Sequence, residues 1–464
     1  MAESIAVLVG SPPRPALARL GEAMRRHRRV IVAIQWAVVA VYLILLTLPA
    51  FMRLPASSAS ILSNLTLFAQ FAFWGIWWPF VILSVMLLGR LWCGVLCPEG
   101  TLCEWASRHG LGKSIPRWIR WSGWPFLAFL TTTVYGQLVS VYEYPKAWLV
   151  VLGGSTVAAV AVGLVYGKGK RVWCRHLCPV SGVFGLLAKV APVHFRTNEE
   201  AWRNFAGRAG RIDCAPLVDM RHLHSASQCH VCGRCSGYRD AIELAVRSPN
   251  SEILSAAPQH VAGAPAALLV FGLLGVALGA FQWTISPWFV TIKQAAAEWL
   301  VERDSFWLLR DNAPWWILTH YPEASDVFSW LDGLAIVAYI LGTAMVVGTL
   351  ILGALLAAQL LAGRERYDWK SLAMTLIPLA GISVFLGLSM LTLTQLRAEG
   401  VVFPWVGGAR AALLVMGLGW SGWLGARVIF ASAAMRWRRL AAFTAYAVPL
   451  SLVGYSWYLA FYVW

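Results

Sequence analysis

Three thiols stand two residues apart in Cys229-His-Val-Cys232-Gly-Arg-Cys235, and Cys214 lies fifteen positions upstream of them. With such gaps, every third residue can turn a sulfur toward a common centre. That is the demand of an iron–sulfur cubane, which takes one cysteine at each iron. Two further phrases, Arg90-Leu-Trp-Cys93-Gly-Val-Leu-Cys97-Pro98 and Arg171-Val-Trp-Cys174-Arg-His-Leu-Cys178-Pro179, match at their Arg, Trp, Leu, Cys and Pro positions. These eight thiols, in a run with one upstream partner and in two matching phrases, lead to a redox or metal function.

The Cys229–Cys235 run is incomplete as a bacterial cluster motif. That motif continues with a cysteine three residues further on, followed by Pro, whereas this chain has Arg239 there. Cys214 is the remaining cysteine of the segment and completes a four-ligand [4Fe–4S] set; a three-iron cluster or a ligand from elsewhere are the alternatives. Zinc is the competing metal, because His222, His224 and His230 are close and zinc accepts mixed Cys/His ligands. Zinc knuckles, however, come as separated C-x2-C pairs. The four phrase thiols, Cys93, Cys97, Cys174 and Cys178, allow a second cluster, another metal, or a dithiol–disulfide couple. Arg90 and Arg171 would stabilise thiolates or a net-negative cluster. Cys103 has no counterpart in the second phrase and reads as a packing residue. Metal-ligand use of the cysteines implies a reducing compartment.

The elements that must hold these residues are membrane helices. The 464-residue chain is 59% hydrophobic and 13% charged, with a mean hydropathy of +0.63, far too apolar for a soluble domain. Apolar runs at about 30–52, 65–89, 121–142, 148–167, 261–283, 330–362, 371–393, 409–432 and 441–463 are each long enough to cross ~30 Å of hydrocarbon, which predicts an all-α polytopic protein of about nine spans. The basic segment 1–28, ending in Arg25, Arg26 and Arg28, precedes the first run. A cleaved signal peptide is the rival reading there, but the apolar run is itself span-length and reads as an uncleaved anchor. With a cytoplasmic amino terminus, most of the 38 Lys and Arg fall in cytoplasmic segments, both C-x3-C-P phrases and the 190–260 segment are cytoplasmic, and the carboxyl terminus is periplasmic. The net charge of +16 is therefore a matter of membrane orientation and not of nucleic acid.

Residues 29–189 contain a repeat: two helical hairpins, each ending in the same thiol phrase, which predicts a pseudo-twofold four-helix unit with the phrases facing each other at one rim. Segment 190–260 is the sizeable extramembrane piece and is small enough to need a metal. A second, five-helix unit follows over 261–464, with an outer loop at 284–329. Within that loop Ala295–Arg310 reads as a surface helix dipping Trp299, Leu300, Phe306 and Trp307 into the interface, reinforced by Trp315 and Trp316. Most of the 26 Trp read as membrane anchors.

No His lies inside a span to hold a bilayer haem, and no Asp or Glu lies well inside one, as ion pumps require. There is no Walker loop and no dinucleotide-binding Gly pattern. The chain reads as an electron-transfer component and not a stand-alone enzyme.

At the two C-x3-C-P phrases and the Cys229–Cys235 run, over about residues 29–260, the sequence resembles the bacterial membrane polyferredoxins of the NapH, NosR and CcoG type. That resemblance implies a [4Fe–4S] inner-membrane protein passing electrons between the cytoplasm or the quinone pool and a membrane or periplasmic partner. Those proteins usually carry two complete cluster motifs where this chain has one, and their shared core lacks the carboxyl-terminal five helices. The chain is also similar to the ferredoxin-like membrane subunit of Ftr-type ferrous-iron uptake systems. Three functions therefore compete: a redox relay, a subunit of a metal-transport system, and a zinc-stabilised assembly factor.

Overall fold

A computed structural model describes residues 16–56, 58–210, 212, 214–256, 261–363, 368–432 and 434–464. Most of the expected basic leader and the expected boundary at 260 lie outside these residues. The fold is helical throughout, apart from two short two-stranded antiparallel sheets.

Among the described residues, eight helices are long and apolar enough to cross a membrane: Arg28–Phe51, Leu65–Leu88, Pro145–Tyr166, Gly263–Gln282, Trp330–Ala362, Ile377–Ala398, Val406–Phe430 and Arg436–Val463. All eight coincide with expected spans. The ninth, expected at 121–142, is a helix of only 15 residues, Trp124–Leu138. Gly123 and Pro125 stand at its start, and its end unwinds into a tight turn at Ser140, which has a positive φ of 48°. At 1.5 Å per residue the helix covers about 22 Å, so the flanking turns complete this crossing. A crossing there is required by connectivity, because the two thiol phrases follow the carboxyl ends of Leu65–Leu88 and Pro145–Tyr166 and meet at one end of the bundle.

The two hairpins are tied at buried polar contacts. Tyr42 and Thr156 share a 2.9 Å hydroxyl hydrogen bond, and Gln35 donates to the Gly94 carbonyl at 2.8 Å. The first helix is thereby fastened to the first thiol phrase. Close approach of Pro98–Arg108 to Pro145–Tyr166 needs a missing side chain: a Cβ at Gly163 would sit 2.7 Å from the Cys103 carbonyl oxygen. Cys103, fully buried, packs there with Trp173 and Ala159, as a packing thiol should.

The largest core runs between this unit and the carboxyl-terminal helices, with the short helix Ser181–Val190 sunk into it. At the far end of the bundle, Tyr144 and Tyr321 stack at 3.6 Å and Tyr144 donates to Asp326 at 2.8 Å, docking the 284–329 loop. That loop's helix is Pro287–Val301, beginning earlier than expected. Trp299, Phe306, Trp307 and Trp316 are exposed as expected of interfacial residues. Leu300, by contrast, is buried at 5% exposure and Trp315 packs against core side chains, because each faces the bundle.

At the thiol-bearing end, β1 (Val193–Thr197) pairs with β2 (Ile242–Val246), and the Cys214–Cys235 loop is strung between them. Phe195, Leu223, Val231, Ile242 and Leu244 make its small core. The helix Ala16–Arg26 lies across this sheet, where a Cβ at Gly21 would come within 3.2 Å of Leu244.

Candidate iron–sulfur centres

Each C-x3-C-P phrase closes a wide turn in the same way. The Cys97 N–H donates to the Trp92 carbonyl at 2.9 Å, and the Cys178 N–H to the Trp173 carbonyl at 3.0 Å. Such five-residue turns are costly and concentrate at functional sites. The proline that follows has no N–H to lose and starts the next segment. In the first phrase, Cys97 also caps the helix Pro98–Arg108, its sulfur accepting from the Gly100 N–H at 3.4 Å.

The structure brings all four phrase thiols together. Cys93, Cys97, Cys174 and Cys178 line one cavity of about 120 Å³, with Trp77, Trp92 and Glu99 also in its wall. Burial pushes the Cys97 thiol up to about 12 and also raises those of Cys174 and Cys178; neighbouring phrase thiols add to each rise. Burial raises Glu99 too, opposed by hydrogen bonds from Ser155 and Trp173.

A second quartet forms in the loop. Burial raises Cys214, Cys229 and Cys235, with Cys229 reaching about 12, and each of the three is raised further by thiol neighbours drawn from the same set with Cys232. Cys214, fifteen residues away in sequence, is thus at the same place as the run. Val231 and Gly233 both take positive φ, 47° and 74°, so the chain winds back on itself between the thiols. The Val231 N–H donates to the Cys229 sulfur at 3.4 Å.

The two quartets touch. A Cβ on Gly94 would lie 2.0 Å from the His230 carbonyl oxygen and 3.1 Å from the Cys232 nitrogen, so the loop rests directly on the first phrase where that phrase has no side chain. Beneath the contact is a buried ionic node. Glu104 receives the Arg171 Nε at 2.9 Å, Arg234 at 2.6 Å and Arg108 at 3.2 Å. Arg171 also donates to the Cys93 carbonyl, and Arg90 donates to Ser227 in the loop and to Ser181 beyond the second phrase. Burial would push the Glu104 carboxyl up, but Arg171 and Arg234 together hold it down at about 2.

A cluster fits these surroundings: buried thiols whose ionisation is opposed by desolvation, N–H groups on sulfur, and guanidinium groups close by. Iron would take up the thiolate charge that burial otherwise disfavours. Among the described residues, no three His, Cys, Asp or Glu side chains converge as the ligands of a single ion. His222 and His224, candidates for mixed zinc ligation, instead face Asp219 and Glu199 on the surface.

Sequence reasoning named all eight thiols and both phrase arginines. It passed over Glu104, Glu99, Arg234 and Gly94. Arg234 carried a signal, a cation set between two candidate ligands, and Glu104 another, a carboxylate inside the helix Pro98–Arg108 that follows the first thiol phrase.

Comparison with known proteins agrees with this geometry. A family described as 4Fe-4S binding domain matches twice, at residues 70–121 and 149–198. Each match takes in one helix and its thiol phrase; neither reaches Cys214–Cys235. The chain is similar to the putative electron transport protein YccM of Escherichia coli (strain K12), 23% identical over 43% of this chain and 62% of that protein. It is also similar to the regulatory protein NosR of Pseudomonas aeruginosa, 24% identical over 34% of this chain and 25% of that protein. The chain thus spans under two thirds of the first relative and a quarter of the second. No solved structure matches it. In its repeated hairpins, paired thiol phrases and these matches the chain is similar to membrane polyferredoxin-type proteins. They support an iron–sulfur electron-transfer role.

Glu104 has a depressed proton affinity in the fold, so its stabilisation is fully present above about pH 4.5 and is lost as pH falls toward 2. Glu104→Gln removes that dependence and leaves the Arg171 charge buried without its partner, a cost of about 3–5 kcal/mol. Unfolding midpoints of the purified protein should fall at neutral pH and become flatter between pH 5 and 3. An unchanged midpoint would remove the node from its role as the tie between the quartets.

Proposed function

We propose that the protein is an inner-membrane electron relay with two adjacent [4Fe–4S] clusters. Cys214, Cys229, Cys232 and Cys235 hold one, and Cys93, Cys97, Cys174 and Cys178 hold the other. The observation that supports this reading is the contact of the two thiol quartets across Gly94 and the Glu104 node, which would hold two such centres side by side. When bound, the clusters supply one-electron chemistry. The protein's residues fix their spacing, keep them out of water and surround them with cationic and N–H groups that favour the reduced, more negative state. The division into a four-helix unit, the 190–260 segment and a five-helix unit follows the same reading.

Iron and EPR test it. Anaerobically purified protein should hold about eight iron per chain and show two interacting signals on reduction. Cys214→Ser should lose one cluster, and Cys93→Ser with Cys174→Ser should lose little more than either alone, since they empty one site. Full iron and an unaltered spectrum in Cys214→Ser would reject that ligand. Zinc in place of iron would favour an assembly factor.

The orientation we infer has the thiol face in the cytoplasm and the carboxyl terminus in the periplasm, on the strength of the Lys and Arg distribution. A reporter fused after Arg208 should behave as cytoplasmic and one after Glu323 as periplasmic. Alkaline phosphatase activity from the first fusion would reverse the arrangement.

For the donor, the quinone pool is favoured over a soluble carrier by one feature. A hollow of about 150 Å³, almost wholly apolar, opens inside the bundle and shares Trp78, Thr132, Pro179, Val180 and Phe184 with the thiol cavity. A quinol ring there would stand next to the phrase cysteines. Thr132→Phe should slow cluster reduction by a short-chain quinol at least about ten-fold, a barrier change near 1.4 kcal/mol, with iron content unchanged. An equal rate would shift the donor to the cytoplasm. Electrons then pass to a membrane or periplasmic partner, a redox protein or a metal-uptake subunit.

A further inference from the structure

A third, open cavity of about 550 Å³ lies at the thiol-bearing end, away from the apolar hollow. Its wall carries four cationic side chains, Arg90, Arg120, Arg175 and Lys189, together with His176 and the exposed Trp121, and among the described residues no acidic side chain lines it. Among the described residues only Lys189 faces a carboxylate, Glu252 at 3.9 Å, and that carboxylate is already held by Arg247. Arg90 is 5% exposed, and its Nε is buried with no hydrogen-bond partner even though its two terminal nitrogens are used. Concentrated like charge of this kind in a concave, partly dry wall raises the energy of the empty pocket and calls for an anion.

The pocket's depth in the membrane selects the anion. Arg120, Trp121 and Ser122 directly precede the helix Trp124–Leu138, and Pro265 lies in the first turn of Gly263–Gln282. Both helices enter the bundle here, so the pocket opens at the level where lipid headgroups meet water. Trp118 and Trp121, 58% and 54% exposed, mark the same level. Gly182 in its wall lets the short helix Ser181–Val190 close up on the two entering helices, since a Cβ there would come within 2.6 Å of Pro125 and Leu268. Guanidinium forks match phosphate oxygens, and basic pockets between membrane helices hold anionic headgroups.

We propose that this pocket binds the phosphate of an anionic phospholipid headgroup, with Arg120 and Arg175 as its outer clamp and Arg90 at its base. A bound headgroup neutralises the cations that stand between the lipid surface and the Cys214–Cys235 loop, and so fastens that small segment to the bilayer. The holoprotein in a neutral detergent should be stabilised by added phosphatidylglycerol and not by phosphatidylcholine. It should also retain phosphatidylglycerol through purification, read by native mass spectrometry. Arg120→Gln, an exposed position, should weaken that binding about five-fold, Arg120→Gln with Arg175→Gln by more, and Arg120→Lys far less, at roughly 1 kcal/mol per lost cation. Arg438→Gln, in another basic stretch, should leave it unchanged. Equal loss in Arg438→Gln would overturn the pocket in favour of diffuse attraction. Stabilisation by inorganic phosphate but not by phosphatidylglycerol would overturn the lipid and assign a free anion.

Discussion

The structure depends on one buried carboxylate. Glu104, 4% exposed, is shared among Arg171 of the second thiol phrase, Arg234 of the cysteine loop and Arg108 of its own helix. Each of these pieces comes from a different part of the chain, and each places thiols. Burying such charges is costly unless every one is paired, and removal of a single partner strands the others. A node of this sort therefore fixes geometry more than it adds stability. It makes the relative position of the two quartets an all-or-none property of the fold, which is what electron transfer between two centres requires.

The pseudo-twofold repeat is nearly, but not fully, reciprocal. Arg171 donates directly to the carbonyl of Cys93. Arg90 reaches the carbonyl of Cys174 through Ser181, at 2.9 Å and then 2.6 Å. The first phrase has Gly100 where the second has Ser181, and a Cβ at Gly100 would already stand 3.2 Å from the Arg171 guanidinium. One small residue thus converts a bridged contact into a direct one. The freed side of Arg171 turns to Glu104, so the asymmetry is also what creates the node. A similar departure puts Gly94 in the first phrase where the second has Arg175, giving the cysteine loop a bare surface on one phrase only.

Much of this was legible in the sequence, because thiol spacing and hydropathy are local signals. The eight long helices, the repeat, the gathering of Cys93 with Cys174 and the return of Cys214 to the Cys229 run all follow from patterns a few residues wide. The crossing at 121–142 was visible as an apolar run, but its helical length was not, since Gly123, Pro125 and the Ser140 turn shorten the helix without lowering hydropathy. Leu300 and Trp315 were assigned to the interface because composition cannot tell which side of an amphipathic stretch faces the bundle. Glu104 was hidden for a different reason: Arg171 and Arg234, the partners that make it a node, lie 67 and 130 residues away, and no local pattern encodes a pairing at that range.

All eight thiols stand at one end of helices that span roughly 36 Å at 1.5 Å per residue for the 24 residues of Leu65–Leu88, so centres held by these thiols could not by themselves carry an electron across the bilayer. A transmembrane chain of centres is one solution, and nothing in the sequence supplies its ligands. The alternative is to bring a mobile carrier to the thiols from within the membrane. The apolar hollow beside the phrase cavity, walled by the same Pro179 and Phe184 that follow the second phrase, has the position for this. Placing the phrase cluster at the end of that hollow and the loop cluster outside it would give the proposed relay an inner and an outer terminal. The touching of the quartets at Gly94 is then the step that joins the membrane to the aqueous side.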